Sequence, residues 1–446
     1  MQDTVAAIAT PPGFGGIGIV RISGPLAQEI AKNLIGCVPQ PRYATLSVFR
    51  GGDGKTIDQG IALFFPGPNS FTGEDILELQ GHGGPVVLDL VLRRALELGA
   101  RPARPGEFSE RAFLNGQIDL AQAEAIADLI ESTTEVAARL ASRTLQGDLS
   151  FRVEEVLKGL SRLRSHLEAT IDFSDEEIDF ISYSQVGADL QKLADNLKAL
   201  LASAHQGCLI REGIILVIAG PPNAGKSSLL NALAGIDVAI VTEIPGTTRD
   251  LLRQEIQIDG MPVHIVDTAG LRQARDPIER EGVRRAREQI ERSDRILWVF
   301  DGQADPRHSD FDPGDLPCHV PVTFVRNKID LEGFPPGVME TPLGIEISIS
   351  ARTGAGLDLL REYLKVSSGF RGSGEGELLA RRRHLDAINR TLAHLQSASV
   401  SLKQTAAAEL VAEDLRQAQL SLGEITGEYT SDDLLGNIFS SFCIGK

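Results

Sequence analysis

The chain has 446 residues, 42% of them hydrophobic and 24% charged, which suggests about three domains with buried cores. Its 61 acidic residues outnumber 44 basic ones, and the net charge of −17 excludes a general nucleic-acid-binding surface, because phosphate contacts dominate such affinity. There is no apolar run of about 18 residues and no basic segment before Val5, and the four scattered cysteines (Cys37, Cys208, Cys318, Cys443) form no CxxC pair; a cytoplasmic, reducing setting without a membrane span, secretory signal, disulfide framework or zinc site is expected.

Residues 1–118 mix short apolar runs with glycine turns. Val5 to Ala9, Ile17 to Ile22, Ile61 to Phe65 and Ile76 to Leu79 read as strands, and Pro85 to Leu98 and Pro105 to Leu114 as helices. Pro85 suits a first helical position, where its missing N–H costs nothing, and Gly99 suits the stop. This is an α+β domain with its own core. From Asp119 to about Gln206 glycine becomes sparse and apolar residues recur at helix spacing, as in Val153 to Leu167 and Val186 to Leu201. Phe173 to Phe180 is an acidic break between helices. Residues 213–368 alternate strands with helices, as a doubly wound α/β domain does. Gly369 to Gly376 reads as a linker, and the pattern from Glu377 to Glu424 is helical again. Any RNA partner must be met by a local basic patch or through another protein, and the densest basic run, Arg381 to His384, is either such a patch or, as the simpler reading, a solvated helix face. The expected fold is a multidomain α/β protein. Its helical domain, 119–212 and 369–446, is interrupted by an inserted Ras-like P-loop domain at 213–368. A change at the nucleotide would then lever both ends of the helical domain.

The inserted domain carries the chemistry. Gly220, Asn223, Ala224, Gly225, Lys226 and Ser227 lie in a GxxxxGK[ST] phosphate loop, with Ser228 opening the helix that follows. The apolar strand Ile214 to Ala219 precedes it. Glycines let the backbone approach the phosphates, the helix N-terminus offers N–H donors, Lys226 reaches the β- and γ-phosphates and the Ser227 hydroxyl can ligate Mg²⁺. Asn327, Lys328 and Asp330 form an NKxD guanine reader, since a carboxylate can accept from a donor pair that adenine lacks. Ser350, Ala351 and Arg352 match the last guanine-contact loop. Asp267, Thr268, Ala269 and Gly270 follow the strand Val263 to Val266, where Asp267 can hold Mg²⁺ through water and the Gly270 N–H can sense the γ-phosphate. Four motifs in order define a GTPase.

Hydrolysis needs a positioned water and a positive charge. The position after Gly270 is Leu271, which cannot orient water, and the polar stretch after it offers Glu279 or a merely solvated helix start. No arginine finger is evident. The Asn223 amide either ligates a monovalent cation such as K⁺, with carbonyls of Thr242, Glu243, Ile244, Pro245 and Gly246 completing the shell, or only stabilises the loop. Gly246, Thr247 and Thr248 open the first switch, with Thr248 sensing Mg²⁺ and the γ-phosphate. Cys443 lies three residues before Lys446, and the Gly445-Lys446 ending does not fit prenylation.

Across its length the chain resembles the tRNA modification GTPases that act on the wobble uridine. The resemblance rests on Ala9 to Gly13, Gly15-Gly16, Arg21 to Gly24, Glu78 to Gly84, Arg104 to Phe108, Asp119 to Glu124, the GTPase motifs with Asn223 and Gly246 to Asp250, Glu424 to Glu428 and Phe442 to Lys446. It implies that residues 1–118 bind a 5-formyl-tetrahydrofolate-type one-carbon donor and form a homodimer. Arg21, Glu78 and Lys446 then contact the folate, and Gln117 replaces a lysine seen in the family, so a charged contact is lost there. It further implies K⁺ at Asn223, Thr242, Ile244 and Thr247, Mg²⁺ at Ser227 and Thr248, Glu279 as the water-orienting acid and Cys443 as a tail thiol that is either catalytic or packed. An FAD- and NADH-using partner subunit would complete a heterotetramer. Together they would place an aminomethyl or carboxymethylaminomethyl group on uridine C5 of certain tRNAs. The alternative is a regulatory switch such as a ribosome-assembly GTPase, which would carry an RNA-binding appendage and a basic surface that this acidic chain lacks.

Overall fold

The computed structural model describes residues 3–172, 183–235, 253–267, 291, 293–304, 311, 317, 319–372, 376–404, 408–429 and 432–445. The chain divides into two compact units. One comprises Met1–Glu131, Ala141–Leu197 and Ala387–Lys446, the other Ser132–Leu140 and Lys198–Asp386.

The first unit begins with β1 (Val5–Ile8), β2 (Gly15–Ser23), α1 (Ala27–Ile35), β3 (Thr45–Arg50), β4 (Thr56–Phe65), β5 (Ile76–Gly83), α2 (Pro85–Glu97), β6 (Arg101–Pro102) and α3 (Glu107–Leu114). The six strands form one sheet in the order β3-β4-β5-β2-β1-β6, antiparallel except for β1 beside β6. Alternation along the strands turns Val20, Ile22, Ala62, Leu77 and Leu79 to one face, where they bury against Ile30 and Leu34 of α1 and Leu88 and Val91 of α2. Residues of the opposite parity, among them Arg21 and Glu78, sit directly across from each other on β2 and β5. Pro85 opens α2, and Gly99 follows it at φ +104° with its N–H on the Leu96 carbonyl. Neither α1 nor β3 was among the sequence expectations. The apolar spacing Ala27, Ile30, Ala31, Leu34 and the left-handed Gly36 at its end are the local signals that specify α1.

The remaining elements of this unit are helical: α4 (Leu120–Glu131), the C-terminal part of α5 (Glu135–Leu145) from Ala141 onward, α6 (Asp148–Asp172) and the first half of α7 (Tyr183–Glu212). From the C-terminal stretch come most of the helix at Arg382–Gln404 and the helices at Ala408–Gly423 and Asp432–Ser440, here α11, α12 and α13. α6 packs on α12, and Leu120, Ala123 and Ala127 of α4 bury against Ile438, Phe439 and Phe442.

The second unit holds β7 (Ile214–Ala219), α8 (Lys226–Ala234), β8 (Arg253–Ile258), β9 (Met261–Asp267), β10 (Arg295–Asp301), β11 (Val322–Asn327), α9 (Ile329–Glu332), β12 (Gly337–Thr341), β13 (Gly344–Ser348) and α10 (Leu357–Ser368). Its sheet runs β12-β13-β11-β10-β7-β9-β8, with the five central strands parallel and the two edge strands antiparallel. Strands buried on both faces need continuous apolar runs, and Ile214–Ala219 supplies one. In such sheets ligand loops gather at the C-terminal ends of the strands, which here are the ends of β7, β10, β11 and β13. The unit boundaries at 197/198 and 386/387 fall inside α7 and α11, each a single helix. Among the described residues no helix is long and apolar enough to cross a membrane.

Candidate functional site: a phosphate loop tied to a guanine reader

At the end of β7, Gly220 takes φ +135°, and a Cβ there would stand 2.0 Å from the Val299 carbonyl oxygen of β10. Only glycine lets the chain turn so closely against its neighbouring strand. Asn223 is exposed and left-handed at φ +62°. Gly225, at φ +92°, is the N-cap of α8, and a Cβ on it would lie 2.2 Å from Nδ2 of Asn327. The loop thus delivers the chain to the positive end of a helix, the preferred place for a phosphate. Lys226 Nζ donates to the carbonyls of Gly220 (3.0 Å) and Pro221 (2.8 Å), so its ammonium is folded back over the loop. Ser227 and Ser228 are exposed on the first turn of α8.

Asn327 ends β11 and is 2% exposed. Its Nδ2 donates to the Ala224 carbonyl at 2.9 Å, and its Oδ1 accepts from the Ala351 N–H at 3.0 Å. A single amide side chain therefore joins the phosphate loop to the Ser350–Ala351–Arg352 loop. Ser350 is buried; its Oγ donates to Asp330 Oδ1 at 2.7 Å and accepts from the Thr353 N–H. Asp330 is exposed, as is Arg352, so the carboxylate is oriented yet open to a ligand. Lys328, left-handed at φ +66°, has its Nζ 2.8 Å from Asp301 Oδ2. The sequence reading did not single out Asp301. Its signal was an acid closing an apolar strand of a doubly wound sheet. Burial opposes its ionisation, but the Lys328 ammonium and the Gln303 and Ala304 N–H groups outweigh burial and hold its pKa below the ordinary carboxylate value.

Asp267 closes β9, and its side chain lies outside the described residues. Thr242, Glu243, Ile244, Pro245, Gly246, Thr247, Thr248, Thr268, Ala269, Gly270, Leu271 and Glu279 lie outside them altogether, as does Lys446.

A separate polar cluster sits in the first unit. Arg21 Nε donates to Glu78 Oε1 at 2.9 Å, and the guanidinium stands 5.8 and 5.6 Å from the ring centres of Phe71 and Phe108. The cluster sets a hydrogen-bond-accepting carboxylate beside an aromatic face, Phe71 at 36% exposed, an arrangement that can receive a planar ring carrying N–H groups. Phe71 has no signal in the sequence, because its neighbours on the chain carry no aromatic pattern, and Phe108 enters there only as the end of the Arg104 to Phe108 motif. Gln117 is exposed and packs against Gly73. The tail reaches the same end of the sheet: the Gly106 N–H donates to the Cys443 carbonyl, and a Cβ on Gly445 would stand 2.3 Å from the Ile8 carbonyl oxygen. Cys443 is exposed. Behind it, Glu107 is 2% exposed and accepts from Arg101, Arg111 and the Arg104 N–H.

The model of the MnmE helical domain matches residues 120–443, and that of the GTP-binding protein TrmE N-terminus matches residues 4–117. Among solved structures, a variant of Era from Aquifex aeolicus bound to GDP and AlF₄⁻ is 28% identical, with a TM-score of 0.27; the match covers 41% of this chain and 66% of the Era chain. The G domain of the FeoB iron transporter from T. maritima is 21% identical with a TM-score of 0.25, covering 35% of this chain and 98% of that one. The FeoB G-domain from Methanococcus jannaschii is 22% identical with a TM-score of 0.26, over 35% and 98%.

Proposed function

The chain belongs to the MnmE/TrmE family of tRNA modification GTPases, and on that premise we propose that its GTP hydrolysis is K⁺-stimulated and drives a folate-dependent modification of the wobble uridine. The observation that carries the GTPase part is Asn327, which locks the phosphate loop at Ala224 to the guanine-reading loop at Ala351. A nucleotide seated on one is thereby registered against the other. In this reading Lys226 transfers its hydrogen bonds from the Gly220 and Pro221 carbonyls to the β- and γ-phosphates. Gly220 and Gly225 keep the loop close enough for backbone donors to reach those oxygens, and Asp330, oriented by Ser350, accepts from the base. Ser227 and Thr248 would hold Mg²⁺, which when bound neutralises charge on the phosphates. Asn223, with Thr242, Ile244 and Thr247, would hold K⁺, which supplies positive charge where other GTPases use an arginine. Leu271 cannot orient the attacking water, and Glu279 takes that role.

Arg21, Glu78, Gln117 and Lys446 would hold the one-carbon tetrahydrofolate in the domain at 1–118. The Arg21–Glu78 pair and Phe71 support this by fitting the ring. Cys443 is the reactive group offered by the tail. The proposed organisation is a helical domain of 119–212 and 369–446 around a GTPase domain of 213–368, a homodimer through 1–118, and an FAD- and NADH-dependent partner subunit. Together they add an aminomethyl or carboxymethylaminomethyl group at C5 of the wobble uridine. Mass analysis of wobble-uridine nucleosides in tRNA from cells lacking this chain tests it. Loss of the C5-modified nucleosides is expected, and an unaltered profile would favour a regulatory GTPase without a modification role.

A further inference from the structure

Three members of the guanine-reading stretch are tied down in different ways. Asn327 bonds to both neighbouring loops, Asp330 is held by Ser350, and Lys328 is drawn to Asp301. Asp301 is the last residue of β10, and in the parallel pairing it stands directly opposite Asn327 of β11. Its two carboxylate oxygens are divided. Oδ2 lies 2.8 Å from Lys328 Nζ, and Oδ1 accepts the Gln303 N–H at 3.1 Å. The second bond fixes the carboxylate, so the first reaches the lysine from a fixed point. The side chains of Asp301 and Lys328 are 21% and 31% exposed, which leaves the pair partly shielded from solvent. Lys328 also takes a left-handed backbone conformation, unusual for a residue with a side chain, so the loop needs outside restraint to hold it there.

We propose that Asp301 is a positioning residue for guanine-nucleotide binding, holding Lys328 and with it the Asn327–Asp330 loop in the binding conformation before the base arrives. This rests on the reading of Asn327, Lys328 and Asp330 as the guanine reader. An ammonium tethered in advance surrenders its conformational freedom during folding rather than on binding, so the affinity for GTP rises. The carboxylate does not meet the phosphates and takes no part in hydrolysis. Its effect is therefore on KM rather than kcat. The competing account is that Asp301 only closes the turn at Gln303 and Ala304, which would make it a stability residue.

Steady-state GTP hydrolysis by the full-length chain separates these. Asp301→Asn keeps the size of the side chain and can still accept from the Gln303 N–H, but loses the charge. It should raise KM for GTP about tenfold with kcat and the thermal midpoint little changed, and Asp301→Glu should recover part of the loss. An unchanged KM in Asp301→Asn, or a KM that rises only together with a lowered thermal midpoint and is not rescued by Asp301→Glu, overturns the proposal. Asp330→Asn, run in parallel with GTP and xanthosine triphosphate, checks the underlying reading. A switch of preference to xanthosine triphosphate keeps the guanine reader in place whatever Asp301 does, whereas retained preference for GTP removes both.

Discussion

Glu107 shows how a residue's surroundings set its titration. Its carboxyl is 2% exposed, and that burial alone would raise its pKa. Hydrogen bonds from Arg101, from the Arg104 N–H and from Arg111 reverse the sign and bring the pKa from 4.5 down to about 2. Because the folded value lies below the unfolded one, the stabilisation is fully present above pH 4.5 and disappears as pH falls through about 2. Glu107→Gln should therefore weaken the first unit at neutral pH by up to roughly 3 kcal/mol, the size of the pKa shift, with Arg101 keeping Asp3 and Arg111 keeping Glu74 and Asp3 as partners. The gap between variant and native chain should close between pH 4.5 and 2. Hydrogen exchange at the β1 amides and at the Arg101 amide would read this, and a gap that stayed constant down to pH 2 would show that the ion cluster does not supply the stability. Asp3 is also held down to about 2, first by its hydrogen bond from Arg101, but its side chain is 54% exposed and solvent screens most of its contribution.

At the scale of an element, α7 carries two glycines with opposite consequences. Helix propensity favours alanine over glycine by about 1 kcal/mol at an interior position. At Gly187 the nearest atom to an added Cβ is Leu402 Cδ2 at 3.7 Å, ordinary contact, so Gly187→Ala should gain about that amount. At Gly207 the added Cβ would stand 1.8 Å from the Leu378 carbonyl oxygen, because the buried segment Glu377–Ala380 lies along that face of the helix. Gly207→Ala must displace that backbone, and the overpacking cost of about 1–3 kcal/mol outweighs the helix gain. Thermal unfolding of the two variants should move in opposite directions, and a stabilising Gly207→Ala would mean that Glu377–Ala380 does not pack on α7. The end of α7 is held in a similar way. Arg382, at the start of α11, donates to Glu212 at 2.8 Å, while Asp294 accepts the Ile215 N–H at the start of β7. The helix leads into β7 through Gly213, at φ +65°.

On the scale of the whole molecule, the proposed mechanism predicts a dependence on the monovalent cation. Replacing K⁺ by Na⁺ should lower the GTPase rate about tenfold or more, because a shell of oxygens spaced for K⁺ holds the smaller Na⁺ poorly and the charge at the arginine-finger position, worth at least that much, is then lost. Asn223→Ala should abolish the difference between the two ions. Equal native rates in both would leave Asn223, exposed and left-handed in its loop, with only a structural part.

Short-range features of this protein were legible in the sequence. The phosphate loop, the NKxD stretch, the apolar runs of β7 and β11 and the Pro85 start of α2 each depend on residues a few positions apart, where turn geometry, helix entry and strand burial are decided. α1 was equally local and could have been read from its spacing. Other features had no local signal. Asp301 meets Lys328 across 27 positions, Asn327 meets Ala224 across 103, Arg111 meets Asp3 across 108, and Arg382 meets Glu212 across 170. Residue types alone could not choose among the many possible partners for these charges and amides. The fold brought these partners together, and for the buried Asn327 and Arg111 burial made the pairing necessary, because a polar group removed from water must find its bond inside the protein. The sequence by itself therefore determined what the phosphate and guanine loops are made of, and only the tertiary structure decided which side chains hold them in place.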